Sequence, residues 1–321
     1  MRVLVTGASG FVGNCVVDQL TERGAEVVTV GRYARAADAS HRAIGGHHVL
    51  HRPDDAAEVK ALVTEIAPQC IIHLAGSSSA PSIADLYRVN TIFAANLLEA
   101  AAVVRPNPHV LLVGSAAEYG PVPDADLPVI ETFPCRPNTA YGITKLAQTL
   151  HGLNAAATGL PVTIARVFNP IGPGMSTSLA LGSFADQIAR LSSTGGRTLN
   201  TGDLDVERDF IDVREAGRLL VELALSAVGQ GGIVNVCTGV GSQLLDLTRR
   251  LIACSGTPIQ LRYESSRTGN SNVRRFVGST AKLKSLGLSV ARPDFDTLLP
   301  AMLARAQSDA TNSGAQPTAA S

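Results

Sequence analysis

Tyr141 and Lys145 stand four residues apart in Pro137-Asn138-Thr139-Ala140-Tyr141-Gly142-Ile143-Thr144-Lys145, a run that reads as a capped helix start. That spacing puts both side chains on one helical face. An ammonium beside a phenol stabilises the tyrosinate, and lowering a pKa from ~10 to ~7 corresponds to about 4 kcal/mol. A tyrosine so placed exchanges a proton with an alcohol or ketone near neutral pH. The chain has only four lysines, which argues against an incidental pairing. Upstream, Val113-Gly114-Ser115-Ala116-Ala117-Glu118-Tyr119-Gly120 closes an apolar run. Its Ser115 hydroxyl could donate a hydrogen bond to the oxygen that reacts.

A tyrosine and lysine at this spacing are common on exposed helices. They gain meaning from Thr6-Gly7-Ala8-Ser9-Gly10-Phe11-Val12-Gly13, which lies between a first apolar run and a first amphipathic one. Glycines there permit the tight turn, a close approach of backbone to diphosphate, and close packing of helix on strand. The helix start then offers unpaired N–H groups and the positive end of its dipole to the phosphates. The dinucleotide contacts expected here are Gly7, Ser9, Gly10, Phe11, Val12 and Gly13. NAD sites usually close the second strand with an acid, but Val30-Gly31-Arg32 ends in a guanidinium suited to a 2′-phosphate. NADP(H) is the preferred cofactor on that reading, with NAD(H) the alternative.

The elements that must position these residues alternate along the first half. Candidate strands are Val3 to Val5, Glu26 to Val30, Cys70 to Leu74 and Val110 to Val113, with helices at Val12 to Glu22 and Ala56 to Ile66. Asp55 and Glu58 make a plausible capping pair for the second helix. Such alternation implies right-handed crossovers and a parallel sheet covered on both faces. The expected fold is α/β, a Rossmann-type doubly wound parallel sheet with a smaller C-terminal α/β substrate-binding domain. Residues 1–168 form the first unit, 169–306 the second, and 210–238 return to the main sheet. The small, polar and aperiodic stretch 307–321 reads as a disordered tail. Asp85 to Val104 is apolar on nearly all sides, which calls for burial on two faces, against the sheet and then a partner subunit or another helix of the chain.

Composition narrows the classes. The 321 residues carry 27 basic and 27 acidic side chains, leaving counterion-driven nucleic-acid binding without a charge excess. Aromatics total 4%, too few for a base-stacking platform. No apolar run approaches the ~20 residues of a spanning helix. Five scattered cysteines without a close pair suit a reduced compartment, so a cytoplasmic protein is expected. His47, His48 and His51 lack an accompanying carboxylate or thiol at ligand spacing, and no metal site is read there.

Together these motifs resemble the extended short-chain dehydrogenase/reductase family, in its nucleotide-sugar-modifying branch. The resemblance runs to about Ala306 and adds the Leu74-Ala75-Gly76 loop, Asn90 in the next helix, and Arg166-Val167-Phe168-Asn169 followed by Gly172-Pro173-Gly174. It implies cofactor contacts at Leu74, Ala75, Gly76, Asn90, Phe168, Tyr141 and Lys145, with Asp54 at the place of an adenine-contacting aspartate. The second half, through Gly202 to Val213, Asn235 to Gly239 and Gly278-Ser279, is similar to the subgroup that reduces GDP-4-keto-6-deoxy-D-mannose to GDP-D-rhamnose. On that resemblance Ser115, Glu118, Asn169, Arg208 and Arg275 hold the nucleotide sugar. Where sugar-nucleotide dehydratases of the family carry a glutamate base, this chain has Ala117. Where epimerase-reductases carry a cysteine and a histidine, it has neither. Reduction of a 4-keto group needs only Ser115, Tyr141, Lys145 and the nicotinamide. A 4-epimerase retaining NAD and a non-catalytic NADP-sensing protein are the alternatives, and a homodimer is the expected assembly.

Overall fold

The computed structural model describes residues 1–33, 45–226, 231–265 and 273–314. In chain order the first half comprises β1 (Arg2–Thr6), α1 (Phe11–Glu22), β2 (Glu26–Gly31), β3 (His47–Val49), α2 (Ala56–Ile66), β4 (Cys70–His73), α3 (Ile83–Tyr87), α4 (Phe93–Val103), β5 (His109–Ser115), α5 (Ala140–Ala157) and β6 (Val162–Val167). The second comprises β7 (Pro170–Ile171), α6 (Ala180–Thr194), β8 (Thr198–Thr201), β9 (Glu207–Asp209), β10 (Ile211–Asp212), α7 (Val213–Leu225), β11 (Gly232–Val236), β12 (Gly241–Gln243), α8 (Leu244–Cys254), β13 (Gln260–Tyr263), β14 (Arg275–Phe276), α9 (Ala281–Ser285) and α10 (Phe295–Gly314).

Seven parallel strands form the main sheet in the order β3-β2-β1-β4-β5-β6-β11. The central strands are runs of Val, Ile and Leu because both faces are buried. On one face α1 and α7 supply Val16, Val17, Leu20, Leu219 and Leu220 to the core. On the other, α2 and α4 supply Val59, Val63, Phe93 and Leu97. The strand order turns back between β1 and β4, so a crevice opens at their carboxyl ends, where ligands bind in such sheets. α7 and β11 come back to this body as the sequence suggests, β11 pairing with β6 from Gly232 opposite Thr163 to Val236 opposite Val167. The intervening segments build a separate core from α6, α8 and α10 around Phe184, Leu247 and Leu299.

Three expectations need correction. Asp85 to Val104 is not one helix: a π-helical turn at Arg88–Ile92 separates α3 from α4, because Asn90 and Thr91 bond sideways to neighbouring segments. α4 is covered within the chain by α2 and α5. Asp55 does cap α2 through the N–H groups of Ala57 and Glu58, but the Glu58 carboxylate accepts from His51 N–H, not from Asp55. Finally, α10 continues through residues 307–314, into the stretch read as a tail. Once its apolar end is anchored, propagation adds one bond per residue, and an Arg305–Asp309 pair at 2.9 Å supports the extension. Residues 315–321 lie outside the described residues.

Candidate active site

The Thr6–Gly13 turn leaves β1 at the crevice. Gly7 has φ +70°, and a Cβ there would come within 2.6 Å of Ala75 N and 2.7 Å of Leu74 C. Only glycine lets the β1 and β4 exits meet this closely. Thr6 fixes the second exit, its hydroxyl accepting from Ala75 N–H at 3.2 Å. α1 starts at Gly10 with no side-chain cap and no acid in its first turn. Its first N–H groups are therefore directed to a ligand's charge without competition from a carboxylate, with Ser9 and Gly10 exposed beside them and Phe11 and Val12 half-buried. This cradle fits a dinucleotide diphosphate. Arg32 lies exposed just past β2, its guanidinium 5.8 Å from the Tyr33 ring centre. Asp54 lies two residues ahead of α2, 3.7 Å from Arg88.

β5 delivers Ser115 to the same edge of the sheet, and α5 delivers Tyr141 and Lys145. Thr139 caps α5 by accepting from Gly142 N–H at 3.0 Å, which sets the first turn that carries Tyr141. The Ser115 side chain lies close enough to the Tyr141 phenol to act on its pKa, and Ser115 Oγ accepts from Ala117 N–H at 3.2 Å. Lys145 Nζ donates to Val113 O and to Gln148 Oε1, each at 2.6 Å. Asn90 ties the loop after β4 to this helix. It accepts from Ser77 N–H at 2.8 Å and donates to Thr144 Oγ1 at 2.9 Å, while the Thr144 hydroxyl donates to Tyr141 O.

The electrostatics differ from the expectation of a lysine-depressed tyrosine. Burial raises the Tyr141 pKa, and burial lowers that of Lys145 to about 8. Desolvation disfavours the charged form of each, outweighing the nearby Ser115 side chain at Tyr141 and the Glu118 charge at Lys145. In the resting site Tyr141 is a neutral phenol, the form that donates a proton.

Three residues read as ligand contacts have other positions. Glu118 is fully buried and accepts from Ser115 N–H, Thr149 Oγ1 and Arg166 Nε, all at 2.8 Å. It is a buried anchor and not a substrate contact. Phe168 is also fully buried, stacked on Phe276 at 5.4 Å beside Tyr119, so its ring is an aromatic core element and not a cofactor contact. Arg275 is drawn to Glu207 at 3.1 Å by the parallel pairing that sets the two opposite each other. Asn169 and Arg208 are both held by main-chain carbonyls of this region. The Asn169 amide donates to Asp209 O at 2.8 Å, and Arg208 donates to the carbonyls of Glu207, Val273 and Arg274. Asp209 is no partner for Arg208, since its carboxylate accepts from Thr238, Gly239 and Gly278. His47 occupies the edge strand β3 with its ring bonded to Thr29 and to Tyr33 O.

Gln148 escaped the sequence reading. Its signal was its place three residues after Lys145, on the same face of α5. His73 escaped it too: fully buried at the end of β4, it bonds Thr6 Oγ1 at 2.8 Å and meets Phe93 edge-on.

Comparisons with known proteins agree with this geometry. GDP-6-deoxy-D-mannose reductase of Pseudomonas aeruginosa is 32% identical over 291 residues, 88% of this chain and 89% of that protein. The dTDP-6-deoxy-L-talose 4-dehydrogenase (NAD(P)(+)) of Kitasatospora kifunensis is 28% identical, covering 91% and 88%. The solved structure of RMD from Pseudomonas aeruginosa complexed with NADPH superposes with a TM-score of 0.80 at 28% identity, covering 96% of this chain and 99% of that one. The family described as NAD dependent epimerase/dehydratase matches residues 3–237. The diphosphate cradle, the serine, tyrosine and lysine at one sheet edge and this match along the sheet agree: the chain belongs to the NAD dependent epimerase/dehydratase family.

Proposed function

We infer that the chain reduces the 4-keto group of a nucleotide-linked 6-deoxyhexose with NADP(H), converting GDP-4-keto-6-deoxy-D-mannose to GDP-D-rhamnose. The observation that carries this is the composition of the site: Ser115, Tyr141 and Lys145 converge, while Ala116 and Ala117 supply methyl groups where elimination would need a base. The GDP-linked substrate and the preference for NADPH are supported by the Pseudomonas aeruginosa relative and structure.

A nicotinamide held here would supply the hydride for the ketone. Gly7, Ser9, Gly10 and Gly13 with the start of α1 hold the diphosphate, and Arg32 the 2′-phosphate. Ser115 donates a hydrogen bond to the ketone oxygen, where negative charge grows. Tyr141 gives its hydroxyl proton to that oxygen. Lys145 stabilises the tyrosinate left behind, because an ammonium nearby favours the charged phenolate. Asn169 and Arg208 hold the sugar and diphosphate. The decisive assay follows NADPH oxidation with GDP-, dTDP- and UDP-linked 4-ketosugars. Oxidation with the GDP substrate, reduced about 10²–10⁴-fold in Tyr141→Phe, is the expected result. Inactivity with every ketosugar, or NAD that stays bound through purification, would sink the reductase in favour of the 4-epimerase.

A homodimer joined through α5 completes this reading. Ile143 and Leu150, two turns apart on its outer face, are 44% and 57% exposed, and Ile92 is exposed beside α4. An apolar seam at that spacing is covered economically by a second copy. Light scattering should give twice the chain mass, and Leu150→Glu with Ile143→Glu should give a monomer. A wild-type monomer rules the seam out as an interface. No helix among the described residues is long and apolar enough to cross a membrane.

A further inference from the structure

Glu118 sits in the turn that follows β5, directly behind the serine, and its carboxylate connects three elements. Oε1 takes the N–H of Ser115, while Oε2 takes the Thr149 hydroxyl on α5 and Arg166 Nε on β6. Thr149 lies four residues beyond Lys145, on the same helical face. Both charges of the Glu118–Arg166 pair are withdrawn from water, at 0% and 2% exposure. Arg166 is further held over the Tyr119 ring at 4.6 Å. A buried ion pair is a poor device for stability, since apolar residues of like volume often serve as well or better. Its place under the reacting hydroxyls points to a different use.

We propose, building on the reductase reading, that Glu118 is a positioning residue of the reaction: its carboxylate locks the main chain that aims the Ser115 hydroxyl and supplies the counter-charge for Lys145. The lysine's direct partners, Val113 O and Gln148 Oε1, are neutral. The acid whose charge acts on it is Glu118, against the burial that strips its proton. The other titratable groups facing this cluster are Tyr141 on α5, His73 at the end of β4, Arg166 on β6, Tyr119 beside Glu118, and Cys135 and Glu131 in the loop after it. Without the Glu118 charge the lysine loses its proton at lower pH, and the tyrosinate formed in each turnover loses its stabilising neighbour.

The test uses two variants, because removing Glu118 alone strands a buried guanidinium. Glu118→Gln paired with Arg166→Met removes both charges together. Glu118→Asp keeps the charge and shortens its reach. In the paired variant kcat should fall about tenfold or more, with KM for NADPH within about twofold, and the alkaline limb of kcat should move to lower pH, by less than loss of Glu118 alone would give because the opposing Arg166 charge goes with it. The Nζ resonance of Lys145, assigned among four in ¹⁵N-lysine protein by its loss in Lys145→Arg, should titrate lower by the same amount. Glu118→Asp should lose kcat while the lysine midpoint holds. A folded paired variant with wild-type kcat and an unmoved Lys145 midpoint overturns the proposal, as does wild-type kcat in Glu118→Asp. If wild-type protein turns over no ketosugar, the reductase reading fails by itself, and the lysine titration still decides the role of Glu118.

Discussion

Among the residues proposed to carry the reduction, Lys145 is the one whose charge burial disfavours, and its direct hydrogen-bond partners are neutral. Its pKa of about 8 sits below the ordinary lysine value, so the ammonium is present at neutral pH and disappears just above it. Reduction should therefore slow as pH rises through about 8, while binding of NADPH through Arg32 and the α1 start holds. A pH–rate profile for kcat measures this, and a flat profile well past that point would exclude Lys145 as the group that matters. At the other end of the cofactor, Arg32→Ala removes a charge-assisted contact, of the kind worth about 1.5–3 kcal/mol. The preference for NADPH over NADH should drop roughly 10- to 100-fold, read as the ratio of kcat/KM for the two; an unchanged ratio would assign the selection to other residues. Ser115, Tyr141 and Lys145 were legible in the sequence because helix spacing and strand ends are local rules. Glu118 and Phe168 were not. What claims them is Arg166, 48 residues away from Glu118, and a ring on β14, and no local pattern announces such partners.

The turn between β1 and α1 is the element proposed to hold the cofactor diphosphate, and its tolerance is set by backbone, not by side chains. At Gly7 the positive φ and the contacts with Leu74 and Ala75 leave no room for a methyl group. Gly7→Ala should separate the β1 and β4 exits and weaken NADPH binding by at least about tenfold, since the backbone could no longer approach the diphosphate. Gly159→Ala is the matched control: its φ is also positive, at +96°, but no atom lies near its built Cβ and it is far from the crevice in sequence and sheet position. Calorimetric titration with NADPH separates the two, and equal affinities would mean that the cradle is not where the diphosphate lies. At this scale β1, β2, β4 and β5 with α1 and α2 were readable from periodicity within a residue or two, because burial on one or two faces writes itself into the sequence. The break at Arg88–Ile92 was not, because the bonds from Asn90 and Thr91 that hold the π-helical turn reach Thr144, more than 50 residues on.

Across the whole molecule, the sheet is pinned by histidines that are kept neutral. His73 is fully buried between β1 and α4, and desolvation together with the charge of Lys145 lowers its pKa to about 3. His109, at the opposite end of the sheet, joins α7 and β6 through Ala224 O at 2.8 Å and Thr163 Oγ1 at 2.9 Å, and its pKa is also lowered, chiefly by burial. In the unfolded chain each takes up a proton near pH ~6.5. Between that value and the lower folded one, the unfolded state binds more protons, so stability must fall as pH falls. Each pH unit crossed costs about 1.4 kcal/mol per fully excluded histidine. For His73 the loss from pH ~6.5 to ~5 is therefore about 2 kcal/mol, with His109 adding in the same direction. The buried Asp209, whose pKa is raised by burial, acts in the opposite sense and works against this slope. Urea unfolding followed from pH 7 to 5 should show this slope, and His109→Gln should reduce it. A free energy of unfolding that stays level across the window would mean that the two rings are protonated in the folded protein, and that the Thr6–His73 and His109–Thr163 bonds do not exclude the proton.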